Sequence, residues 1–158
     1  MSELPAAARR VESAARALGL DIVVRAMPGS TRTVGDAAAA VGAEVGQIVK
    51  SLVFKTAAGD EPVLFLVSGN NRLNEDGVGA RIGAAIVRAD ADFVRKVTGY
   101  AIGGVPPLGH PTRLRTYFDE DLLGYEIVWA AAGTPNCLFC VAPVALRDAA
   151  EARQVSVR

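Results

Sequence analysis

The run Gln47-Ile48-Val49-Lys50-Ser51-Leu52-Val53-Phe54-Lys55 constrains the fold more than any other stretch of the chain. Its β-branched and aromatic residues favour extended backbone. Ala58-Gly59-Asp60-Glu61 supplies a turn, and Pro62 to Val67 returns as a second apolar run. Two such runs around a short turn predict an antiparallel hairpin. Period 2 groups Lys50 with Ile48, Leu52 and Phe54, the set expected to face the core. An ammonium there is expensive unless it emerges at an anionic site. Lys50 is therefore read as a phosphate or carboxylate anchor at a pocket mouth, against the alternative of a lysine that snorkels to the rim.

Elements on either side are short. A helix is expected from Ser2 to Leu18, stopped by Gly19, then a strand over Asp21–Arg25. Thr33 caps a helix through Ala37–Val41, with Asp36 near its positive end. Beyond the hairpin, Leu73–Ile82 is read as helical despite Gly77 and Gly79. Ala85–Arg88 is read as a strand, and Asp90 or Asp92 opens a helix through Val97 that Gly99 ends. Arg113–Phe118 and Glu126–Ala131 read as strands around a helical turn at Asp119–Leu123. After a turn at Ala132–Asn136, Cys137–Val141 is a strand. Pro143 opens a last helix through Ala152, and Gln154–Val157 is an edge strand. Strands interleaved with short helices predict an α/β chain: a mixed, curled, barrel-like β-sheet with short flanking helices. Residues 1–158 are read as a single domain.

Composition narrows the chemistry. The 51% apolar and 22% charged residues of this 158-residue chain suit a globular core. Seventeen basic and seventeen acidic side chains cancel, which removes any global attraction to DNA, RNA or membrane; phosphate contacts would be local. No apolar run is long enough to span a bilayer and no secretory segment opens the chain, so the expected location is the cytoplasm. Cys137 and Cys140 form one C-x-x-C, but a zinc site would need two more ligands and the chain has a single histidine. Two thiols on opposite faces of a strand are expected, with no metal and no cofactor.

Ala101 to Pro111 packs three glycines, three prolines and His110 into eleven residues. Glycines allow close approach of another backbone or a ligand, and prolines stiffen the frame. Such a turn is either a tight connection or a receptor for an oxyanion. No Ser lies in a G-x-S-x-G elbow, no P-loop is present, and the paired carboxylates sit in turns and helix starts. A backbone-lined pocket with one cation and no acid–base pair suits an already activated substrate such as an ester, for which positioning and oxyanion stabilisation suffice.

These residues resemble the YbaK/EbsC family, free-standing relatives of the editing insertion of bacterial prolyl-tRNA synthetase. The resemblance runs from about Thr33 to about Ala145. It rests on Gln47 to Phe54, on Val67-Ser68-Gly69, on Ala89-Asp90, and on Thr98-Gly99-Tyr100 leading through Ile102-Gly103-Gly104-Val105-Pro106-Pro107-Leu108-Gly109-His110. It implies a small mixed α/β barrel-like domain and a trans-editing deacylase. Such an enzyme hydrolyses the ester of a mischarged tRNA, here a proline tRNA carrying alanine, cysteine, serine or threonine. In the family, the lysine matching Lys50 holds the tRNA 3′ end. The loop from Gly103 to Pro107 surrounds the aminoacyl group and scissile carbonyl, and the chemistry is substrate-assisted.

The resemblance thus implies Lys50, Gly103 and Gly104 as catalytic. It implies Ser51, Ser68, Gly69, Val105, Pro106, Pro107, Gly109, His110, Gly133 and Asn136 as substrate-binding. Many relatives carry a histidine where Asn136 follows the Gly-Thr-Pro turn, and relatives vary among Ser, Thr and Asn at Ser51. Expected partners are the 3′ end of an aminoacyl-tRNA and an aminoacyl-tRNA synthetase. Two alternatives stay open: a binding module for a tRNA end or small ligand, and a hydrolase using His110 with Ser68 or Ser51.

Overall fold

The computed structural model describes residues 4–158. Ser2 and Glu3, read as the start of the first helix, lie outside them. The described chain forms α1 (Ala6–Ala17), β1 (Arg25–Ala26), α2 (Val34–Val41), β2 (Ile48–Thr56), β3 (Pro62–Ser68), α3 (Glu75–Ile82) and β4 (Ile86–Arg88). It continues through α4 (Ala91–Thr98), β5 (Arg115–Asp119), β6 (Val128–Ala131), β7 (Cys137–Val141), α5 (Pro143–Ala149) and β8 (Arg153–Val155). Short 3-10 turns precede β2 and follow β5.

The hairpin is the centre of the sheet. β2 pairs antiparallel with β3 from Val49 opposite Ser68 to Lys55 opposite Pro62. The strand order is β1-β7-β6-β2-β3-β5-β8, with β4 as a second partner of β2. Three pairings, β2–β6, β3–β5 and β5–β8, are parallel and the others antiparallel. The sheet is the expected mixed one, but it does not close, and β1 and β8 end it. Val63 through Val67 are wholly buried, as a strand covered on both faces requires.

Lys50 and its neighbours need a correction. The opposite face of β2, carrying Val49 and Val53, packs with Leu64, Leu66, Phe118 and Phe139 in the largest apolar cluster. On the Lys50 face, Ile48 packs with Trp129 and Leu138, while Phe54 packs with Phe65 and Ile86. Both faces are therefore covered, and Lys50 stands between two smaller clusters rather than over the main core.

The caps at Thr33 and Asp90 fall where the sequence placed them, whereas the helix read from Leu73 begins instead at Glu75, behind an Asn74 cap that the sequence had not marked. Thr33 Oγ1 accepts from Asp36 N, Asn74 Oδ1 from Gly77 N and Asp90 Oδ1 from Phe93 N. Gly99 ends α4 at φ +82°, left-handed backbone that favours glycine. Cys137 is buried in the main core while Cys140 lies against the Trp129 cluster, so the two thiols do face opposite ways. The strand expected over Asp21–Arg25 is largely absent, and only Arg25–Ala26 pairs, with β7. Leu20, Ile22 and Val24 alternate into the core as a strand would, but Glu12 Oε2 takes the Val24 N–H at 2.9 Å, replacing a ladder bond.

Candidate active site

β2 has more neighbours than one strand can fully pair. On the edge away from β3, β6 takes only Ile48 and Val49, and β4 takes only Phe54 to Thr56. Between them no strand of the described residues pairs with it. Ile48 C=O accepts from Gly69 N and Thr56 pairs across the hairpin, which turns the even-numbered backbone groups of β2 towards β3. The N–H and C=O of Ser51 and the N–H of Val53 therefore point into the gap between β6 and β4, while the Val53 C=O already faces Ala89 at the start of the β4 pairing. This gap is the floor of a cleft of about 1010 Å³. Its walls include Arg32 and Thr33 ahead of α2, Arg72 and Asn74 ahead of α3, Arg88 of β4, and Ile102, Gly103 and Val105 of the glycine–proline loop.

Lys50 and Ser51 both line this cleft. The Lys50 ammonium donates to the Asn71 carbonyl. Burial pulls its pKa below the ordinary 10.5; the Asp119 carboxylate opposes that shift and the Arg72 guanidinium adds to it. Ser51 Oγ is the one buried side-chain polar atom without a hydrogen-bond partner among the described residues. An unpartnered buried hydroxyl is costly to the fold, and strand alternation sets it on the Val49 and Val53 face of β2, opposite the Lys50 side chain.

The glycine–proline loop divides in two. Ile102, Gly103 and Val105 reach the cleft, and Gly103, at φ +96°, lies against the Arg32 side chain. Gly104, Pro106 and Pro107 are buried behind them. Gly104 N donates to Ala101 O, and Gly104 O accepts from Gly133 N at 2.9 Å. Pro107, Gly109 and His110 face a separate cavity of about 390 Å³ beside α1 and α5. His110 Nε2 lies 2.8 Å from Pro106 O, and burial lowers its pKa, a shift partly offset by that bond.

The other expected site residues stand outside the cleft wall. Ser68 Oγ donates to Gly46 O, and Gly69 packs against the Val45 carbonyl. Gly133, at φ +92°, is wedged between Ala7 and Tyr100. Asn136 accepts from Thr134 Oγ1 and donates to Met27 O at 3.0 Å, so its amide ties the turn to the chain ahead of α2. His110 is thus in a different cavity from Ser51, and Ser68 spends its hydroxyl on backbone.

Asp119 was legible only as the cap of a helical turn. It is that, accepting from Asp121 N, but it is also buried and accepts from Ser68 N and Asn71 Nδ2. Arg32 gave no signal beyond its charge; only the fold brings it to Gly103.

A family model described as an aminoacyl-tRNA editing domain matches residues 29–149. The crystal structure of a proposed trans-editing enzyme for prolyl tRNA synthetase superposes with a TM-score of 0.92 at 49% identity, covering 99% of each chain. An uncharacterised Bacillus subtilis protein, YwhH, is 29% identical over 75% of this chain and 75% of its own. The proline–tRNA ligase of Limosilactobacillus fermentum is 32% identical over 108 residues, 66% of this chain; the match spans only 19% of that ligase. Fold, motif order and these likenesses agree: the chain belongs to the aminoacyl-tRNA editing domain family.

Proposed function

We propose that the chain is a trans-acting deacylase that clears a small amino acid, such as alanine, cysteine, serine or threonine, from mischarged proline tRNA. The observation that carries this reading is the bare stretch of β2, where backbone groups of Ser51 and Val53 open onto the same cleft that Lys50 lines. At about 1010 Å³ the cleft is at the large end of small-molecule sites, room for an aminoacylated nucleoside rather than a free amino acid. Lys50, with Arg72 beside it, would hold the anionic 3′ end, and the exposed β2 groups would orient the aminoacyl moiety. Gly103 and Val105 would close over the ester. Water adds to the ester carbonyl carbon, the carbon–oxygen bond to the ribose breaks, and the ribose oxygen leaves with a proton. No side-chain base is needed if the neighbouring ribose hydroxyl or a positioned water handles that proton, in keeping with the cleft's lack of histidine.

The test is hydrolysis of proline tRNA charged in turn with alanine, cysteine, serine, threonine and proline, alongside Lys50→Ala. Turnover of a mischarged species, with the proline ester spared, is expected. The variant is expected to lose roughly tenfold to a hundredfold, the scale of a hydrogen bond to a charged group. Tight binding of the charged tRNA without turnover of any species would overturn the enzyme reading in favour of a binding module.

A further inference from the structure

Lys50 is held by atoms the sequence reading did not connect to it. Its acceptor is the backbone oxygen of Asn71, in the short loop between β3 and α3. Nothing in that loop's own sequence fixes the oxygen in place. The fixing comes from the far side of the sheet edge, where Asn71 Nδ2 donates to Asp119 Oδ2 at 2.8 Å and to Asp121 Oδ2 at 2.7 Å. The same Asp119 oxygen takes Ser68 N at 3.0 Å, and Asn71 N returns to Ser68 O at 2.9 Å. Asp119 is 1% exposed and bonded through both oxygens, so the loop hangs on a carboxylate that barely moves.

We infer that Asp119 and Asn71 are positioning residues for Lys50: the buried carboxylate grips the Asn71 side chain and so sets the carbonyl on which the ammonium rests at the bare stretch of β2. Asp119 accepts three hydrogen bonds, two of them from backbone N–H groups, but among the described residues no cation contacts it directly, which leaves its charge to act on what lies around it. Arg158, the one basic partner in the cluster, pairs with Asp121 instead. The nearest use for the Asp119 charge is Lys50, whose other charged neighbours in the cleft are Arg72, Arg32, Arg88, Glu75 and Asp76, with Arg88 already paired to Glu75. Asp119 thereby does two things at once. Its oxygens hold the loop geometrically, and its charge keeps the lysine protonated against burial and against Arg72.

The catalytic consequence rests on the proposed deacylase reading; the effect on Lys50 itself does not. The test accordingly has two readouts on the full-length chain. The first is acetylation of Lys50 by a short pulse of acetic anhydride across pH, read by peptide mass spectrometry. Asp119→Asn is expected to move the labelling midpoint of Lys50 to lower pH by about one unit, the low end of what a neighbouring charge does. The second is a double-mutant cycle in deacylation. Asn71→Ala keeps the backbone carbonyl but frees it, and is expected to lower kcat/KM about tenfold in the wild-type background and not at all in Lys50→Ala. Asn71 is half-buried, so that variant is the one expected to fold if Asp119→Asn does not; it should then make Lys50 label faster at every pH. An unmoved labelling midpoint in folded Asp119→Asn, unchanged labelling in Asn71→Ala, or equal losses from Asn71→Ala in both backgrounds would overturn the inference. If the wild-type chain hydrolyses no charged tRNA, the deacylase reading fails and the labelling alone decides this one.

Discussion

Gly103 and Gly104 are neighbours that resemble each other in sequence, yet the structure gives them different work, and alanine at each separates the two. A Cβ on Gly104 would lie 2.9 Å from Gly133 C and O and from Thr134 N, all backbone atoms that have no rotamer to escape into. The same contact carries the Gly133 N–H to Gly104 O bond. Overpacking of this kind costs about 1–3 kcal/mol, and a strained or lost backbone hydrogen bond adds about 0.5–1.5 kcal/mol. Together that is roughly 2–4 kcal/mol, or roughly 4–16 °C in Tm at 2–4 °C per kcal/mol for a domain of this size. At Gly103 the contact is with Arg32 Cγ, Nε and Cδ, a side chain that can swing aside, and the main penalty is φ +96°, about 1–2 kcal/mol. The assay is thermal unfolding of both variants beside single-turnover deacylation at a temperature where both are folded. Gly104→Ala is expected to lose stability and, once folded, to keep most of its rate. Gly103→Ala is expected to lose less stability and more rate, because it displaces Arg32 at the cleft mouth. A Gly104→Ala protein with unchanged Tm and a collapsed rate would refute the assignment of Gly104 to packing.

Two pH effects follow from burial. The Lys50 ammonium is disfavoured by burial, so turnover that depends on it is expected to start falling with rising pH below the ordinary 10.5. Rates corrected for uncatalysed ester hydrolysis would read this, and a flat profile to that point would count against a role for the charge. His110 has a lowered folded pKa, so between that value and the ordinary 6.5 the unfolded chain binds more protons than the folded one. Stability is therefore expected to decline as pH drops below about 6.5 and to level off once the folded-state histidine also protonates. His110→Gln should flatten that part of the Tm profile without moving the alkaline rate limb, since His110 faces the other cavity.

Local chemistry carried much of the fold into the sequence. The β2–β3 hairpin, the caps at Thr33 and Asp90, and the end of α4 at Gly99 all rest on interactions within a few residues, so a short window suffices to see them. Asp21 to Val24 shows where that fails. Its apolar alternation is real and its burial alternates accordingly, but strand identity depends on what lies alongside, and Glu12 is alongside. The Lys50 face failed for the same reason: period 2 tells which residues share a side, not which side meets the larger cluster. The cleft itself was the least legible part, because it is made by two strands that stop. β6 leaves β2 after Val49 and β4 joins only at Phe54, and no residue between them announces that its backbone will be left bare.

That origin bears on how the site can be specific without an acid–base pair. A cleft made by interrupting a ladder presents donors and acceptors from alternate residues, about twice the 3.3–3.4 Å rise of a strand apart, on backbone that is anchored at both ends of the gap. Such groups are preorganised and lose no side-chain freedom when a ligand arrives, which is the condition under which hydrogen bonds select a transition state rather than merely retain a substrate. The side chains nearest the gap then have separable tasks. Lys50 supplies charge, and Asn71 and Asp119 set where that charge sits. On the proposed deacylase reading, the charge and the backbone groups would meet features common to every aminoacyl ester, so one small amino acid would be told from another by contacts of its own side chain with the cleft wall. Discrimination by one such contact is worth about 1–3 kcal/mol when it turns on a methylene, so selectivity in this cleft is expected to be graded across small amino acids rather than absolute.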